Sequence, residues 1–106
     1  VSYDVTDAMT LTFGGTSGNT GASDKDNQFA SIAYTVDADT TLSMGFATAD
    51  DTTASVTDKQ TVTSVNLSRS LGGGVSVFAE YAAVDSDNAG VNTDGSAVAI
   101  GTTVSF

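Results

Sequence analysis

The sequence predicts an all-β fold, an antiparallel up-and-down meander of about six strands, and three observations carry that prediction. Apolar residues recur at every second position, and helical spacing never beats that period over a helical length. Twelve of the thirteen acids fall in connections, which leaves Glu80 and Arg69 as the only charges inside strands. The connections themselves alternate, short then long, along the whole chain.

The elements follow in order. Val1–Tyr3 reads as the tail of a strand, followed by a D-V-T-D turn. Met9, Leu11 and Phe13 alternate with Thr10 and Thr12 into Gly14–Gly15, and Thr16–Asn27 reads as a long polar loop. From Gln28 to Val36, the residues Ala30, Ile32, Tyr34 and Val36 oppose Phe29, Ser31, Ala33 and Thr35. After the Asp37–Thr40 turn, Leu42, Met44 and Phe46 alternate with Ser43, Gly45 and Ala47. A second long loop spans Asp50–Lys59. Val65, Leu67 and Leu71 then oppose Ser64, Asn66, Ser68 and Ser70. Gly72–Gly74 is the tightest turn, because three glycines reach positive φ without steric cost. Val75, Val77, Ala79, Tyr81 and Ala83 oppose Ser76, Phe78, Glu80 and Ala82. The third long loop, Asp85–Gly95, leads into the terminal strand. There Val98, Ile100, Val104 and Phe106 share one parity, and small or weakly polar residues share the other.

Composition excludes several classes. The 106 residues amount to one domain at most, and the net charge of −10 rests on thirteen acids against Lys25, Lys59 and Arg69. Such a chain lacks the clustered cations that nucleic-acid binding needs. Without cysteine there is no disulfide scaffold and no thiolate metal site. No apolar run approaches the ~20 residues of a spanning helix. No basic, then apolar, leader opens the chain, and its start on Val1 rather than Met suggests a processed or excised product.

A meander of roughly ten-residue strands, uncharged between its turns, suits a hydrocarbon slab better than water. Short turns on one side and long loops on the other are the arrangement of outer-membrane barrels. A soluble sandwich has no reason to segregate its connections so regularly. Six strands and a stub fall short of the eight at which single-chain barrels begin, and an open edge in lipid leaves N–H and C=O groups unsatisfied. The chain is therefore expected to be the C-terminal part of something larger, or one of several chains sharing a barrel.

The ending A-V-A-I-G-T-T-V-S-F, preceded by L-G-G-G-V-S-V-F-A-E-Y-A, resembles the C-terminal end of Gram-negative general porins of the α-proteobacterial type. The resemblance covers essentially the whole chain as the C-terminal third of such a protein. It implies part of a sixteen-stranded transmembrane β-barrel, a homotrimer, in the bacterial outer membrane. It also implies that Phe106, Val104, Ile100 and Val98 form the signal read by the barrel-assembly machinery. The implied function is passive diffusion of ions and small hydrophilic solutes.

If the Val98 parity faces lipid, Ser64, Asn66, Ser68, Ser76 and Glu80 face the lumen. Glu80 is the only acid there, where it biases a pore toward cations or pairs with a basic side chain of the wall. Arg69 shares parity with the apolar residues and is affordable near a membrane rim, where its head can snorkel. Asp85-x-Asp87-Asn88-x-Gly90 resembles the start of a calcium loop. It lacks an acid at the fifth position and the Glu at the twelfth, where Ser96 stands, so solvated acidic loop tips are expected instead. No other cofactor is indicated. With neither His nor Cys there is no conventional base or thiolate, and no enzyme is expected. A second functional class stays open: an acidic structural or adhesive surface protein, or a strand-stacking filament.

Overall fold

The computed structural model describes all residues from Val1 to Phe106 and contains no helix. Seven strands form one antiparallel sheet in chain order: β1 (Ser2–Thr6), β2 (Met9–Asn19), β3 (Ser23–Asp37), β4 (Thr40–Thr53), β5 (Val56–Gly72), β6 (Val75–Asn88) and β7 (Val91–Val104). The all-β meander agrees with the sequence reading, and the N-terminal stub is a strand in its own right. The three long loops are a correction. Their residues continue the ladders, as in Asn19↔Asp24, Thr53↔Val56 and Asn88↔Val91. Connections are therefore short at both ends of the sheet. Polarity in these segments marked solvation and not a break in backbone pairing.

The two ends turn by different chemistry. At one end, β2–β3 closes through Thr20–Ala22, β4–β5 through Ala54–Ser55 and β6–β7 through Ala89–Gly90. Ala54, Ser55, Ala89 and Gly90 all have positive φ, the handedness that matches strand twist in two-residue hairpins. At the other end, each of the three hairpins has a register shift just before its turn, between Asp4 and Thr6, Thr35 and Asp37, and Ser70 and Gly72. A bulge there adds twist and bends the strand. The first is the acidic end of the sheet and the second its glycine end.

Consecutive strands stay in register, so residues line up in rows across the sheet. One row runs Tyr3, Leu11, Ile32, Met44, Val65, Tyr81 and Val98, through all seven strands. The row beside it holds Met9, Tyr34, Leu42, Leu67, Ala79 and Ile100. On the same face but toward the acidic end, the polarity changes within two rows. Gly15, Gln28, Thr48, Thr61, Asp85 and Asp94 are followed by Ser17, Asp26, Asp50, Lys59, Asp87 and Asn92. The opposite face is small and polar, as in the row Thr12, Ser31, Gly45, Ser64, Ala82 and Ala97.

The sheet has no second layer. Only Thr40 is buried, and large apolar side chains such as Met44, Phe46, Leu67 and Ile100 are exposed. The radius of gyration is 17.5 Å, against about 13 Å for a compact domain of this length. The 17 residues of β5 at about 3.3 Å each account for the longest dimension of 55 Å. A depth of 22 Å shows that the sheet is far from flat, since a flat one would be only a few Å deep. Cohesion comes from the ladders, which supply 72 of the 78 backbone–backbone hydrogen bonds.

Gly74 ties the last turn to the C-terminus. Its carbonyl accepts the Ser105 N–H at 2.8 Å, its φ is +79°, and a Cβ would run into the Ser105 carbonyl. Gly73 also has positive φ but faces open space. Both alanine substitutions carry the positive-φ cost of about 1–3 kcal/mol, and Gly74→Ala adds the clash with Ser105, so it is expected to lower the thermal midpoint in detergent more than Gly73→Ala. Equal midpoints would show that the Ser105 contact is not limiting.

Candidate polar face and its acidic end

The small-residue face is the candidate functional surface, and β5 and β6 build its centre. Alternation puts Ser64, Asn66 and Ser68 on this face of β5 and Ser76, Phe78 and Glu80 on the same face of β6. Pairing sets Asn66 opposite Glu80, Ser68 opposite Phe78, Ser70 opposite Ser76 and Ser64 opposite Ala82. All five residues predicted to share a face are brought together on two neighbouring strands. On the far side of β6, Glu80 meets Ala99 and Phe78 meets Gly101.

Glu80 is the one charge in the middle of this face, but not its only acid as the sequence suggested: β1 brings Asp4 into the same row at the sheet's edge, where it accepts the Thr10 hydroxyl at 2.7 Å. The ion pairs of the chain are Lys25–Asp51 at 3.3 Å and Lys59–Asp50 at 3.9 Å, so Glu80 has no basic partner within the chain. Arg69 belongs to the other face, between Thr40 and Val77. The Glu80 side chain is exposed beside a carboxamide, small side chains and an aromatic ring.

Two aromatics on this face escaped the sequence reading as a distinct feature. Phe29 reaches over Gly14 and Phe78 over Gly101, so that a Cβ at either glycine would lie 2.7 Å or 2.5 Å from the ring. Each glycine clears room for a cross-strand ring to lie against the sheet. The available signal was an aromatic residue on an otherwise small and polar parity.

The acidic end carries a charge pattern of its own. On the apolar face, Asp26 opposes Asp50 and Asp85 opposes Asp94, while Lys59 lies between Asp50 and Asp87. On the polar face, Asp51 lies between Lys25 and Asp58. Like charges directly opposite one another destabilise a ladder; Lys59 separates Asp50 from Asp87, and Lys25 offsets the repulsion between Asp51 and Asp58 from the end of their row. A polar groove of about 560 Å³ lies here, lined by Asn27, Asp51, Gln60, Ser86 and Asn88 among others.

The calcium candidates do not converge. Asp85 and Asp87 point to the apolar face and Asn88 to the other, because all three are strand residues and not loop residues. Asp87 accepts the Gly90 N–H at 2.9 Å and Asp58 accepts the Ala89 N–H at 3.0 Å, which assigns both to turn stabilisation. No group of three acids is placed to hold a metal ion. Val98, Ile100 and Val104 stand on the apolar face at 69%, 81% and 57% exposure, and Phe106 lies beyond the end of β7.

At the glycine-end rim, outside the apolar rows, the Asp39 N–H donates to Asp37 at 2.9 Å and holds that carboxyl below its ordinary value near 3.8. The Thr40 hydroxyl and the Arg69 guanidinium act in the same direction, against a small desolvation penalty.

No family profile, curated protein or solved structure matches the chain.

A depressed folded-state pKa stabilises above the ordinary value and is lost as pH falls through the folded one. Amide exchange at Asp39 is therefore expected to accelerate beyond its intrinsic pH dependence below about pH 4, and Asp37→Asn to lack that inflection. Separately, Lys59→Gln should speed exchange around Ala54–Ser55 and Ala89–Gly90 at low salt. About 1 M salt, where the screening length is ~3 Å, should largely erase that difference.

Proposed function

We propose that the chain forms pore wall of an outer-membrane diffusion channel: a porin segment that passes ions and small hydrophilic solutes through a water-filled barrel. The observation that carries this reading is the pair of unlike faces on a sheet with no core. Apolar rows cross the strands on one face, and the Ser64–Asn66–Glu80 face opposite them is small and polar. Hydrocarbon on the first and water on the second satisfies both without a second layer. The acidic end projects past the apolar rows, into headgroups and solvent. That no helix is long and apolar enough to cross a membrane leaves this reading untouched, since barrels cross with strands.

Closure requires more strands than the seven here, because an open edge in lipid leaves backbone groups unpaired. β1 and β7 run in the same direction, so an all-antiparallel closure needs an odd number of further strands. In this reading the Val98, Ile100, Val104 and Phe106 series is the signal for the barrel-assembly machinery, and three barrels associate as a homotrimer in the bacterial outer membrane. No catalytic step or resident cofactor is part of it.

An adhesive or filament-forming surface protein is the second reading, and β7 favours it. Its Gly95–Val104 stretch is an uncharged edge without proline, the kind of strand that stacks on copies of itself. Detergent extraction, heat-modifiable gel migration and conductance in a planar bilayer separate the two. The porin reading predicts a detergent-dependent, heat-modifiable species with stepwise conductance. A monomer that dissolves in plain buffer and gives no conductance would sink it, and fibres with cross-β diffraction would establish the alternative.

A further inference from the structure

Glu80 and Phe78 occupy successive positions on the polar face of β6, about 6.8 Å apart along the strand. Asn66 faces the first and Ser68 faces the second. On the other side, Ala99 and Gly101 leave the surface low. The Phe78 ring extends over Gly101, into space a Cβ would occupy, and so lies against β7 with no larger side chain in its row there. The result is a shallow patch with a carboxylate, a carboxamide oxygen, a hydroxyl and an aromatic ring. No Lys or Arg forms an ion pair with the carboxylate.

We propose that Glu80, Phe78 and Asn66 form a binding site for small organic ammonium ions on the polar face. The chemistry is complementary on each side. The carboxylate supplies the opposite charge, and the negative face of an aromatic ring attracts a weakly hydrated cation within about 6 Å. Hard metal cations are served less well, because they demand several oxygen ligands that this patch does not converge. An ammonium with methyl groups loses little hydration against Phe78 and keeps its attraction to Glu80. Phe29 provides a comparison within the molecule. It covers Gly14 in the same manner, but neither its own row, with Ala47, Val62 and Val84, nor the polar-face row on either side of it holds a carboxylate. The ring alone therefore does not make the site.

In the diffusion-channel reading, on which the role of the site as a solute filter rests, the patch lies on the lumen wall and enriches organic cations along it. Binding itself rests only on the sheet. Two measurements on the full chain keep these apart. Tetramethylammonium is titrated into the detergent-solubilised protein while the Phe78 and Phe29 ring resonances are followed by NMR. The same ion is added to the planar bilayer as a blocker of any conductance. The expected result is a saturable shift at Phe78 and none at Phe29. Phe78→Leu should weaken binding about two- to five-fold, Glu80→Gln should abolish it, and Phe29→Leu should leave it unchanged. A saturable Phe78 shift without conductance would retain the site and remove the channel reading. Conductance with no Phe78 shift, or equal effects of Phe78→Leu and Phe29→Leu, would overturn the site. Circular dichroism of each variant, matched to the parent, excludes loss of the sheet as the cause.

Discussion

A sheet with one apolar face and nothing packed against it is the constraint on which every other feature of this protein depends. Domains ordinarily bury such a face against a second layer, and the apolar area removed from water is worth about 25 cal/mol per Å². Here that stabilisation is not collected within the chain, as Thr40 is the one buried residue. What remains is hydrogen bonding along continuous ladders and the pairing of side chains across them. The fold is thus incomplete with respect to its solvent, and lipid on the apolar rows is the completion that the proposed channel supplies.

The same constraint organises the polar side. Because strand alternation is strict, the central apolar rows of one face have small or polar rows behind them, and the row of Phe29, Ala47, Val62 and Val84 is the exception. Ser43, Asn66 and Glu80 are neighbours in space because Leu42, Leu67 and Ala79 are neighbours on the reverse. The glycines opposite Phe29 and Phe78 are the exceptions to an otherwise even surface, and they let two rings lie down instead of standing up. One of those rings lies beside the one charge on the middle of that face. This conjunction, and not either residue alone, is what makes the β6 patch chemically distinct.

Charge is confined to where the sheet can afford it. The acidic end places carboxylates opposite carboxylates, an arrangement that solvent screening makes tolerable at exposed positions and hydrocarbon would not. Lys59 sits between two acids in its row, Asp50 and Asp87, while Lys25 lies between Gly18 and Asp51, so two cations offset acidic charge in two rows. Arg69 is at the opposite rim, near Asp37, where its guanidinium has both a counter-charge and access to water.

Alternation in the sequence determined the strand class, the order of turns and the facing of every residue from Met9 to Phe13 and from Val75 to Ala83. It also determined that Ser64, Asn66, Ser68, Ser76 and Glu80 share a side, since facing is a local property of period 2. It did not reveal that Thr16–Asn27, Asp50–Lys59 and Asp85–Gly95 are paired backbone, because polar side chains are equally compatible with a loop and with a solvated ladder. Nor could it set Asn66 against Glu80, Phe78 over Gly101 or Asp26 against Asp50. Those contacts depend on register between strands. Register was decided by the bulges at the glycine end and the positive-φ turns at the acidic end acting together, so only the assembled sheet could specify it.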